Sequence, residues 1–133
     1  MLFAKKHRKD ILDIAWLVML PLLLGAAIYR FLRTTRPAIL GNGATIQLPI
    51  PTVLLQSAPS SLWSFALTSA LLLIWKPQRL AAQVGITGAT MVVSILFEAW
   101  QAADMGLGTF DGYDCLFSVI GCGLSLFITK RFL

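Results

Sequence analysis

The stretch FEAWQAADMGLGTFDGYD, residues 97–114, holds four of the six carboxylates in the chain, Glu98, Asp104, Asp111 and Asp114, and no Lys or Arg. Glu98 and Gln101 stand three apart, as do Asp111 and Asp114, and on a helix that spacing puts each pair on one face. Paired carboxylates can share a proton or a cation. They can also hold Mg²⁺, or divide acid and base roles where burial separates their pKa values. Three arginines, Arg30, Arg33 and Arg36, form the complementary set, since a guanidinium grips phosphate or carboxylate with two parallel hydrogen bonds. Other chemistry lacks its parts. The sole histidine is His7, inside a basic run remote in sequence from the acids. Neither Cys115 nor Cys122 has a histidine nearby in sequence to activate it. No zinc-ligand spacing, P-loop or dinucleotide fingerprint is present.

These residues are positioned by apolar segments. The chain of 133 residues is 57% hydrophobic and 13% charged, and its mean hydropathy is +0.78. That is too apolar for an ordinary soluble domain. Four segments approach the ~20 residues a helix needs to cross a bilayer: 11–32, 59–76, 80–100 and 112–131. The expected architecture is all-α, a single integral membrane bundle of four transmembrane helices spanning residues 1–133, with an extracytoplasmic loop after the first helix.

Orientation follows from the cations. Lys5, Lys6, Arg8, Lys9, Lys76, Arg79, Lys130 and Arg131 fall on one side of such a bundle, and Arg30, Arg33 and Arg36 on the other. The positive-inside rule then places both termini in the cytoplasm. The net charge of +5 is therefore spread over helix ends and does not indicate nucleic acid. The first apolar run exceeds a signal-peptide core of ~7–15 residues and is followed at once by Tyr29, Arg30, Phe31 and Arg33, so a retained helix is expected. With this topology the acidic connection faces outward. Glu98 sits inside the apolar run VVSILFEAW, where an ionisable group is expected to face a partner or a cavity. Asp111 or Asp114 can cap the fourth helix and meet its N-terminal dipole. Asp104 reads as a solvated loop residue.

Local signals add detail. The connection from Arg33 to Ala58 contains Pro37, Gly41-Asn42-Gly43, Pro49 and Pro51, and its two later prolines argue against a regular helix over ATIQLPIPTVLL (44–55). Ser60 or Ser61 is expected to cap the second helix after Pro59, and Pro21 to bend the first. Gly85/Ala89 and Gly121/Ser125 have the small-xxx-small spacing that lets helices approach closely in lipid. Cys115 and Cys122, about 10 Å apart along one helix, are too distant to bridge and read as packed thiols.

Glu98-x-x-Gln101, a short connection, Asp111-x-x-Asp114 and then Gly121 resemble the C-terminal motif of VanZ-like membrane proteins. The PSSLWSF opening of the second helix (59–65) and the four-helix layout are similar too, over the last two thirds of the chain. This sequence has Gly106-Leu107-Gly108 where many relatives carry Arg, and Ser118 where they often carry Asn. The resemblance implies a multi-pass protein of the bacterial cytoplasmic membrane, linked through the family name to glycopeptide (teicoplanin) resistance. The expected function is binding or handling a cell-envelope component at the outer interface, a membrane lipid or lipid-linked cell-wall precursor. Arg30, Arg33, Arg36, Glu98, Gln101, Asp111 and Asp114 form the ligand-binding site in this reading. No cofactor is expected, with Mg²⁺ as the one candidate cation. The alternative is an accessory subunit bound to another membrane protein. A lipid-headgroup hydrolase or transferase ranks lower, as does a small transporter, because the mid-membrane stretches hold no carboxylate.

Overall fold

The computed structural model describes residues 11–30, 52–76, 79–102 and 112–133. Over these residues the chain is helical, without strands, and its helices are α1 (Ile11–Ile28), α2 (Thr52–Trp75), α3 (Leu80–Ala102) and α4 (Gly112–Thr129). All four are long and apolar enough to cross a membrane, which makes this an all-α four-helix bundle of the multi-pass membrane type.

Side-chain placement inverts that of a soluble protein. Large apolar residues such as Leu23, Trp75, Leu96 and Phe127 point outward, whereas eleven polar or charged residues are buried. Lipid tails are as apolar as leucine, so packing apolar residues between helices gains little. Small and hydroxyl-bearing residues, which allow close approach and interhelical hydrogen bonds, take the interior instead. α2 is the central element, with 39% of its span buried against 11% for α3, and its principal partner is α4.

Hydroxyl pairs set the register. Ser64 bonds Ser94 at 3.1 Å and Thr68 bonds Thr90 at 2.9 Å, so residues advancing along α2 meet residues receding along α3, and the two run antiparallel. Ser69 bonds Ser125 at 2.8 Å and receives a bond from Thr129 at 3.1 Å. Farther up, Gly121 lies against the Ser61 backbone, so α2 and α4 run parallel. A Cβ at Gly121 would overlap the Ser61 carbonyl, which is why only glycine fits there. Gly25 similarly admits Trp63, whose Nε1 would lie 2.6 Å from an added Cβ. Tyr29 packs against the same indole at a 41° tilt with centroids 5.9 Å apart, attaching α1 to α2.

Three expectations change. α2 begins at Thr52 and runs through Pro59, so neither Ser60 nor Ser61 caps a helix and the prolines do not exclude helix over 52–58. Pro51 precedes the first turn. Pro59 forfeits only the amide that would serve the Leu55 carbonyl, a loss that a helix packed among neighbours tolerates. Gly85 and Ala89 face outward, and nothing lies within 4 Å of a Cβ at Gly85, so this small pair does not pack within the described chain. In α1, the turn before Pro21 widens into a π turn at Ala15–Met19, in which the Leu20 amide reaches back to the Ala15 carbonyl. Neither cysteine forms a disulfide. Cys122 is buried and Cys115 half-buried, with the Cys122 Sγ 4.0 Å from the Ser64 carbonyl.

Candidate functional site

Each inward helix face carries hydroxyls at helical spacing and ends in a different polar group. On α3 the face runs Thr87, Thr90, Ser94, Glu98; on α4 it runs from Asp114 through Ser118, Cys122 and Ser125 to Thr129. The α2 face is Ser57, Ser64, Thr68. Steps of three, four or seven residues keep each set on one side of its helix. Because Ser64 meets Ser94, Thr68 meets Thr90 and Ser69 meets Ser125, the terminal groups on the same faces also turn inward. Burial agrees: Glu98 and Asp114 are each 6% exposed, Ser118 3% and Ser57 fully enclosed.

Register places all four groups at one end of the bundle. One turn beyond the Ser64/Ser94 pair brings Glu98 to the level of Ser60. Asp114 is two turns above Gly121, which faces Ser61, and so stands near the level of Leu54, about one turn above Ser57. Ser57 therefore lies within about one turn of both carboxylates. Asp114 Oδ1 and Ser57 Oγ are buried and accept no hydrogen bond among the described residues. Such groups ordinarily find partners, since leaving one unmet costs ~1–3 kcal/mol.

The cations are distributed oppositely. Lys76, Arg79, Lys130 and Arg131 stand at the far end, where Lys130 and Arg131 lie over the Phe127 ring at 4.6 and 5.2 Å. Lys76, in a left-handed conformation with φ 42°, terminates α2, and its amide bonds the Leu72 carbonyl at 2.9 Å. Arg30, exposed just past α1, is the described cation at the acidic end.

Of the residues singled out from sequence, the structure buries Glu98 and Asp114 at one end of the bundle, with Arg30 at the same end. Gln101 lies in the last turn of α3, its side chain outside the described residues, and Arg33, Arg36, Asp104 and Asp111 also lie outside them. Among the described residues no three His, Cys, Asp or Glu side chains gather as a metal site. Sequence reasoning missed Ser57, which it assigned to the loop, and Ser118. The available signal was Ser57-x6-Ser64-x3-Thr68, a helical period that continues across Pro59. Searches of protein-family models, curated proteins and solved structures find no match to this chain.

Proposed function

We propose that this protein binds the polar headgroup of a cell-envelope component, a membrane lipid or lipid-linked precursor, at the outer face of the bacterial cytoplasmic membrane. The observation that carries the reading is the burial of Glu98 and Asp114 with Ser57 at one end of a bundle whose outer surface is apolar. Carboxylates are expensive to retain in a membrane span and mark a site when they face the interior. The orientation rests on the cations: the end bearing Lys76, Arg79, Lys130 and Arg131 is cytoplasmic under the positive-inside rule, which turns the carboxylates outward. Arg30, which Arg33 and Arg36 follow in sequence, supplies complementary charge for a phosphate. The resemblance to VanZ-like proteins points the same way and supplies the link to glycopeptide resistance.

Glu98→Gln and Asp114→Asn each retain volume and remove charge. Both are expected to abolish the protein's contribution to envelope composition, read by lipidomics of a deletion strain complemented with each variant, while membrane insertion persists. Asp104→Asn should complement fully. Wild-type lipid profiles in both inserted carboxylate variants would reject a role for this site.

A further inference from the structure

Two buried oxygens at the acidic end lack partners among the described residues, and each can accept a hydrogen bond from a ligand. Asp114 Oδ1 and Ser57 Oγ lie buried on facing helices without hydrogen bonds among the described residues, and Glu98 is enclosed about one turn below Ser57. We infer that this site takes a primary ammonium group, as carried by an aminophospholipid headgroup, seated between Asp114 and Ser57 with Glu98 beneath it. The inference rests on the headgroup-binding reading above and names its ligand class.

Three physical arguments select the ammonium. An –NH₃⁺ group presents three donors around one atom, enough for separate acceptors on different helices. Sugar hydroxyls would satisfy the same acceptors but leave the charge of a carboxylate uncompensated in a low-dielectric surrounding, where a positive ligand neutralises it. A divalent ion suits the arrangement less well. Mg²⁺ demands a near-ideal octahedron at ~2.1 Å and gives up its waters reluctantly, whereas an ammonium needs only as many acceptors as it has N–H bonds. The flanking arginine provides for the phosphate that accompanies the amine in such a headgroup: Arg30 stands exposed at this end, at the height expected of an interfacial side chain.

Ser57 separates a ligand role from a structural one. Its hydroxyl is buried without a hydrogen bond among the described residues, so removing it should leave the unliganded fold as stable as before or more so. A structural serine would show the opposite. The experiment is native mass spectrometry of the full chain in detergent, titrated with phosphatidylethanolamine, phosphatidylcholine or phosphatidylglycerol, and with phosphoethanolamine as a soluble competitor. Phosphatidylethanolamine should bind preferentially, because the choline headgroup has no N–H donor and the glycerol headgroup no cation. Asp114→Asn should weaken it about tenfold or more. Ser57→Ala should weaken it several-fold without lowering thermal stability, and Thr129→Val, at the opposite end, should leave it unchanged. Competition by phosphoethanolamine at concentrations comparable to the lipid would assign the site to the soluble amine; its absence assigns it to the lipid.

Equal binding of the three lipids, or displacement by Mg²⁺ alone, overturns the ammonium assignment, as does unchanged affinity in Ser57→Ala. Should Asp114→Asn and Glu98→Gln abolish the cellular phenotype while the lipids bind equally, the headgroup site stands and the amine fails. If the amine binds selectively through Asp114 but neither variant alters the envelope, the functional reading fails and the ligand assignment survives.

Discussion

Gly121 shows how one hydrogen atom in place of a methyl sets the spacing of this bundle. The Ser61 carbonyl occupies the place a Cβ would take, so α2 and α4 are in backbone contact there, close to the level of Glu98 and two turns below Asp114. Gly121→Ala must push the two helices apart, and overpacking of this kind costs ~1–3 kcal/mol. A lower thermal midpoint in detergent is expected, together with weakened ligand binding, because the displacement reaches Asp114 two turns away. Gly85→Ala is the matched control. It meets nothing within 4 Å, gains up to ~1 kcal/mol of helix propensity, and should leave the midpoint level or slightly raised. Equal losses in the two variants would show that Gly121 is not a contact point.

At the scale of elements, interhelical hydroxyls hold α3 and α4 to α2. Thr68 and Thr90 share two hydroxyl hydrogens among three contacts: the Ser64 carbonyl at 2.8 Å, the Thr87 carbonyl at 2.8 Å, and each other at 2.9 Å. At most two of these can be hydrogen bonds at once, so the bond across the interface forms when one hydroxyl leaves its own helix's carbonyl. Thr68→Val keeps the shape and removes the exchange, a loss of roughly 0.6 kcal/mol on average for such bonds in membranes. Ser69→Ala should cost more, because it strips a partner from both Ser125 and Thr129. The triple replacement Ser69→Ala, Ser125→Ala, Thr129→Val should recover part of that loss, since removing all partners leaves no hydroxyl orphaned. Denaturation in mixed micelles reads all three. A triple variant no more stable than Ser69→Ala would mean that desolvated hydroxyls are not the source of the cost.

Among the described residues the bundle is polarised end to end, with four cations at one end and two buried carboxylates at the other. Exposed aromatics mark both ends, Trp16 and Trp75 on the basic side, Tyr29, Trp100 and Tyr113 on the acidic side, as expected for rings at the two membrane interfaces. Reporter fusions after Gly43 and at the C-terminus should report the outside and the cytoplasm respectively. A cytoplasmic signal at Gly43 would invert the molecule and remove the outward-facing site with it.

Four apolar runs of spanning length are enough to define an all-α membrane bundle, because hydrocarbon leaves a chain of this pattern little other way to satisfy its backbone. Helix existence was therefore legible from composition alone. Glu98 was conspicuous for the same reason, a carboxylate within an apolar run. The start of α2 was not legible: Pro51 and Pro59 are local breakers, and only burial among neighbouring helices decides that the segment between them stays helical. That decision moves Ser57 from a loop into the interior. The two small-residue motifs look alike in sequence, yet Gly121 touches a backbone and Gly85 touches nothing within the described chain. Spacing defines which residues share a helix face; which face meets another helix depends on how the helices assemble, and that is set by hydroxyl and backbone contacts between residues 22 to 60 positions apart.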